Sequence, residues 1–435
     1  MLNKTAQPGN KPSSLLAAIF IASCLGLFIH GVTSSLLLQA TNCSQLGRIV
    51  DILAIISLLG LSTLIVTRQN ILSTIRSSRR LQILFGLLVT YTGWIIIRGL
   101  TTQANFKSVL LALLIDTSYF WLFFLLVAAR PLKGRATNSL LIRLSIVLGL
   151  FALLASALYM FGWHAKLDSS LGYGQCGSEA VLRVSGATGW LRSRGFARNP
   201  NELGAILIIP LLVCLAAIPK KLFSKNSRYL LGLSLIGITS LLAVTFSRSA
   251  WIAAAVGAAI FAILQPASLG LVAKYKKPLF IVASLLLIIL AFALRQSNFT
   301  NEFILHKGIS SNSTSQHLAA KRAGLSYTWN HPWGTGPGSA GAVGGALHLH
   351  QSIETESAYL DIAAQYGFLG LALALALFVY CLSFVSKKSN PIKLAVLAGS
   401  IGLIVSGLII PVWSNLTVSL LFAIFLALAA TSEPL

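Results

Sequence analysis

Twelve apolar runs, each about as long as a helix needs to cross a bilayer, constrain this chain before any single motif does. A hydrocarbon core of about 30 Å takes roughly 20 helical residues per crossing. The runs fall at about 15–39, 47–67, 81–98, 108–129, 140–160, 202–219, 229–246, 250–265, 279–294, 367–385, 394–410 and 416–430. Composition agrees: 56% of the residues are apolar and 10% charged, where a soluble domain has about a quarter charged. The expectation is an all-α integral membrane protein with about 12 transmembrane helices.

Basic residues orient it, because loops rich in Lys and Arg stay on the cytoplasmic side. With the N-terminus inside, every internal loop is basic: Arg68, Arg76, Arg79 and Arg80; Arg130, Lys133 and Arg135; Lys220, Lys221, Lys225 and Arg228; Lys274, Lys276 and Lys277; Lys387, Lys388 and Lys393. Both termini are therefore expected to be cytoplasmic. Residues 1–14 read as a cytoplasmic tail and 15–435 as one polytopic membrane domain, with two long external loops at about 161–201 and 295–366. Much of the formal charge of +23 is thus topology and carries no suggestion of nucleic acid. Cys24, Cys214 and Cys381 fall within spans as buried thiols, whereas Cys43 and Cys176 lie outside, where a disulfide between them is left open.

Polar chemistry concentrates in the long loops. Six of the seven histidines (His164, His306, His317, His331, His348 and His350) lie there or at the edges. Connections of this length are functional or disordered, and WNHPWGTGPGSAGAVGGA is too aromatic and glycine-rich for a solvated tether, so short helices over the membrane face are expected in it. In LRSRGFARNPNELG, Arg192, Arg194 and Arg198 crowd ahead of a helix that Asn201 is expected to cap. Planar guanidinium groups beside a helix N-terminus form an anion site; the alternative is an interfacial cluster reaching lipid headgroups. Arg248, in FSRSAWIAAAVG, sits between two apolar runs and either anchors a helix end or faces an anion. From Glu354 to Tyr366 the spacing predicts a helix with Glu356, Tyr359 and Leu360 on one face. Glu356 either serves as a general base or pairs with an external arginine.

Four motifs occur in order: Arg192-x-x-Gly195-Phe196-x-x-Asn199-Pro200-Asn201-x-Leu203-Gly204; Ser247-Arg248-Ser249-Ala250-Trp251; Arg322…Trp329…Pro332-x-Gly334-x-Gly336-x-Gly338; and Tyr359-Leu360…Tyr366-Gly367-x-Leu369-Gly370. Together they resemble the O-antigen ligase and polymerase superfamily. The resemblance implies a membrane glycosyltransferase of the GT-C type. It would take a glycan from an undecaprenyl diphosphate carrier on the outer face of the bacterial inner membrane, without metal, cofactor or nucleotide sugar. Arg192 and Arg248 match the family arginines that hold the diphosphate, with Arg194 and Arg322 as helpers. Family ligases carry a His-Asn pair where this chain has Glu356-Ser357. A glutamate can serve there as the base, and His348 and His350 stand upstream as substitutes. The implied acceptor is a glycan, a lipid or a protein hydroxyl, and membrane lipids are the surroundings. A second reading is a transporter of a small anion such as bicarbonate, using polar groups within the spans such as His30, Asp51 and Asp116. Its intramembrane acids would otherwise find bundle partners, Arg48 for Asp51.

Overall fold

The computed structural model describes residue 26 and residues 71–129, 135–163, 192–218, 225–264, 309–347, 349, 352–385 and 390–432. Among these the fold is all-helical: α1 Ile71–Ser77, α2 Arg79–Thr101, α3 Phe106–Ala129, α4 Arg135–Met160, α5 Pro200–Ala217, α6 Lys225–Val244, α7 Arg248–Leu264, α8 Ile309–Asn330, α9 Gly341–Ala346, α10 Ala358–Ser383, α11 Pro391–Ser406 and α12 Leu416–Thr431. A 3₁₀ turn, Val412–Ser414, leads into α12. Six helices (α2 to α6 and α10) are long and apolar enough to cross a membrane, and α7, α11 and α12 are shorter apolar helices. These nine correspond to nine of the twelve expected runs. The other three, at 15–39, 47–67 and 279–294, lie outside the described residues apart from Gly26.

Helix α5 is the hub. It packs against α4, α6, α7, α11 and α12, and nearly all its residues from Pro200 to Ala217 are buried. In lipid no hydrophobic force drives one helix onto another, so close approach depends on small residues. They stand at the crossings. A side chain at Gly204 would meet Ala250 Cβ at 2.5 Å, and one at Gly237 would strike the α4 backbone at Gly149 and Leu153. Ser234 of α6 donates to Ile146 O of α4 at 3.0 Å. Helix α2 lies at the margin: Leu81, Leu84, Leu88, Tyr91 and Ile95 are buried at three- and four-residue spacings, while Phe85, Val89, Ile96 and Ile97 face outward.

Two expectations about local structure need correction. The helix predicted from Glu354 begins only at Ala358. Glu354 to Ser357 instead form a strap pinned at both ends: Gly341 N donates to Ile353 O (3.0 Å), Ile353 N to Ser339 O (3.0 Å), and Ala358 N to Gly407 O (3.0 Å). Long-range backbone bonds outweigh the local helical spacing. Within the late loop, α8 is a 22-residue helix rather than a short one, and it packs on α10; α9, with 6 residues, fits the expectation.

The third motif explains itself structurally. Helix α10 runs through a break at Gly367 (φ 72°, ψ −176°), which frees backbone groups that must find partners. The glycine loop supplies them. Thr335 N donates to Ala364 O (2.9 Å), Gly336 N to Gln365 O (2.9 Å), and Pro332 O accepts from Phe368 N (2.9 Å). Trp94 Nε1 takes the next carbonyl, Tyr366 O, at 2.8 Å. Gly334, Gly336 and Gly338 all have positive φ (77°, 98° and 90°), which only glycine adopts freely.

Candidate functional site

A cavity of about 690 Å³ opens where the loop before α5, the strap, α8, α9 and the α11–α12 connection meet. That is within the usual range for ligand sites. Arg192, Asn199, Asn201 and Glu202 line it from the α5 side, His317 from α8, and Glu354, Thr355, Glu356 and Asp361 from the strap and the start of α10. Arg192 and Glu356, far apart in sequence, thus share one concavity.

Arg192 is fixed by Nε donating to Thr245 O (2.9 Å) and Nη2 to Asn201 Oδ1 (2.7 Å). Ser193 N also donates to Val244 O at 2.8 Å. The first motif therefore clasps the turn that carries the second, Thr245 to Arg248, in which Phe246 has a φ of 49°. Arg248 heads α7 and is exposed; it does not line the cavity. Arg194 is buried at 6% exposure, and Arg322 is exposed on α8; neither lines the cavity. His348 and His350 lie outside the described residues. His331, just past the end of α8, is exposed, with Nδ1 2.9 Å from Tyr327 O of that helix.

The cap of α5 is Asn199, not Asn201. Its Oδ1 accepts from Glu202 N at 2.8 Å, and Glu202 Oε2 accepts from Arg198 N at 3.2 Å. This reciprocal arrangement resembles a capping box and leaves Asn201 to hold Arg192. It also places a carboxylate in the first turn of α5, where it meets the positive end of the helix dipole. An anion in this cavity would therefore rest on arginine rather than on the start of α5.

Glu356 has the backbone conformation that most favours glycine, φ 54°. Its Oε1 lies 3.2 Å from His317 Nδ1. One turn along α8, burial lowers the Lys321 pKa while the Glu356 carboxylate opposes that shift. One turn beyond, a side chain at Gly324 would meet Thr355 Cβ at 2.9 Å, so α8 lies tightly on the strap. Asp361, 6% exposed, accepts from the Thr355 hydroxyl at 2.7 Å. Among the described residues, no group of three or more His, Cys, Asp or Glu side chains is set to hold a metal ion. Asp116, a polar residue the transporter reading invoked, accepts from Tyr366 Oη at 2.6 Å inside the bundle. His30 and Asp51 lie outside the described residues.

Sequence reasoning missed two contributors. His317 was one of several loop histidines, and only the packing of α8 singles it out. Arg98, the last residue of the third expected run, donates from Nη2 to Gly334 O at 2.6 Å and ties α2 to the glycine loop.

No curated protein matches the chain. Residues 232–375 match the family model described as O-antigen ligase. That stretch holds the second motif, the glycine loop, the strap and the start of α10, but not Arg192. Over these residues the chain is similar to the O-antigen ligase family.

Proposed function

We propose that this membrane protein transfers a glycan from an undecaprenyl diphosphate carrier to an acceptor hydroxyl, on the external face of a bacterial inner membrane. The observation that carries the reading is that Arg192 and Glu356 line one cavity. Transfer needs a cation for the departing diphosphate and a base for the attacking hydroxyl. Arginine suits the first because its rigid fork binds phosphate oxygens in pairs and stays charged. It would stabilise negative charge as the bond from the anomeric carbon to the diphosphate oxygen breaks. Glu356 would take the proton of the acceptor hydroxyl as its oxygen attacks that carbon. Arg248, outside the cavity on the turn that Arg192 clasps, is the second diphosphate ligand in this reading, with Arg194 and Arg322, also outside it, in supporting places.

The test is transfer by the purified full-length protein from a lipid-linked diphosphate glycan. Arg248→Lys keeps the charge and loses the fork. Its affinity for the lipid-linked glycan is expected to fall about ten- to hundredfold, as for loss of a charged hydrogen bond, with thermal stability unchanged. Wild-type affinity in that variant removes Arg248 from the site. The orientation has its own check. In a chain freed of its other cysteines, His331→Cys is expected to react with an impermeant thiol reagent in spheroplasts; reaction only after lysis reverses the topology.

A further inference from the structure

We infer that His317 is a positioning residue for Glu356: it fixes one carboxylate oxygen so that the other is presented to the acceptor hydroxyl. The inference rests on the reading of Glu356 as the proton acceptor, and adds to it a residue from a different helix.

The backbone settles only part of the geometry of Glu356. The strap is held at Ile353 and Ala358, and Thr355 and Ser357 on either side are buried at 1% and 3% exposure. The left-handed backbone between them directs the side chain toward α8 and the cavity. Such strain persists only where surrounding structure over-determines it, and it gathers at functional sites. The remaining side-chain torsions of a glutamate stay free unless something grips the carboxylate. His317 Nδ1 is at the right distance, 3.2 Å from Oε1. The pair is 47% and 29% exposed, and contacts this open add little to stability. Its consequence is geometric.

The other charged groups around Glu356 cannot do the same work. Glu354 on the strap and Asp361 on α10 are carboxylates and repel it. Lys321 has a flexible four-carbon stem, which makes a poor fixed reference. Arg192, held in place by Thr245 and Asn201, is the residue assigned to the departing diphosphate. His317 is short and rigid, and its helix is registered on the strap by the close approach of Gly324 to Thr355.

The proton is bound and released by Glu356 alone in this scheme, and His317 changes neither atoms nor electrons. His317→Ala is therefore expected to lower kcat about ten- to hundredfold, the scale on which a small misplacement of a reacting group acts. KM for the lipid-linked glycan should stay at its wild-type value. His317→Asn puts an amide N–H near the Nδ1 position and is expected to restore most of the rate. On a Glu356→Gln background, His317→Ala should cost nothing more, because the carboxylate it positions is gone. A wild-type kcat in His317→Ala overturns the inference. So does an asparagine variant as slow as the alanine one, which would show the imidazole itself taking the proton. Full transfer by Glu356→Gln alone would overturn the assignment of Glu356 instead, so the two failures are distinguishable.

Discussion

Glu356→Gln is expected to bind the lipid-linked glycan normally and to transfer it ~10²–10⁴-fold more slowly, the usual contribution of a general base. The amide preserves shape and removes proton acceptance. The substitution is informative because the competing role predicts the opposite pattern. Were Glu356 only a partner for a cation, its loss would appear in glycan binding with at most a small change in stability, and folded molecules would turn over at the ordinary rate. A contact exposed to the extent of His317 and Glu356 (47% and 29%) is worth about 1 kcal/mol or less even with the imidazole protonated. Thermal unfolding of the glutamine form should therefore stay close to wild type. The measurement is single-turnover transfer with glycan binding on the same preparation. Normal transfer would end the assignment of Glu356.

The same residue shows where sequence reading stops. The apolar runs were legible because lipid imposes one requirement on every residue of a span, and length and hydropathy report it directly. Helices α2 to α7 and α11 and α12 begin within five residues of the expected runs. The exception, α10, starts nine residues early, since the expected boundary at Gly367 is a break inside the helix rather than its start. The strap was illegible for a related reason. Glu356, Tyr359 and Leu360 have helical spacing, but that pattern cannot register backbone bonds from Ser339, Gly341 and Gly407, which lie elsewhere in the chain. Likewise Asn199 and Asn201 are both good caps in isolation. Asn199 caps because Pro200 takes the first helical position, which leaves Asn201 to hold Arg192. His317 had no local signature at all, being important only for what α8 packs against. Motifs told which segments matter, and tertiary bonds told which atom of each does what.

The glycine motif bears the largest structural consequence. Gly334→Ala is expected to destabilise the protein severely. Its φ of 77° costs a residue with a side chain ~1–3 kcal/mol. The added methyl would also sit 2.5 Å from both Gln365 O and Gly367 N. Those are backbone atoms at the break of α10 and cannot swing aside as a flexible side chain would, so overpacking adds ~1–3 kcal/mol. The displaced groups are those that satisfy the break, Thr335 N on Ala364 O and Gly336 N on Gln365 O, together with the Arg98 Nη2 bond to Gly334 O that ties α2 to the loop. Leaving such groups buried without partners costs ~1–3 kcal/mol each. Gly86→Ala is the matched control. It lies in α2, with nothing within 4 Å of the new methyl, and alanine favours a helix over glycine by ~1 kcal/mol. Thermal unfolding of the two purified variants should diverge, the first unfolding far below wild type and the second at or slightly above it. An alanine at 334 that unfolds with the wild type would mean that the loop does not hold the break. The strap, tied to that loop through Ser339 and Gly341, would then need another support to keep Glu356 in the cavity.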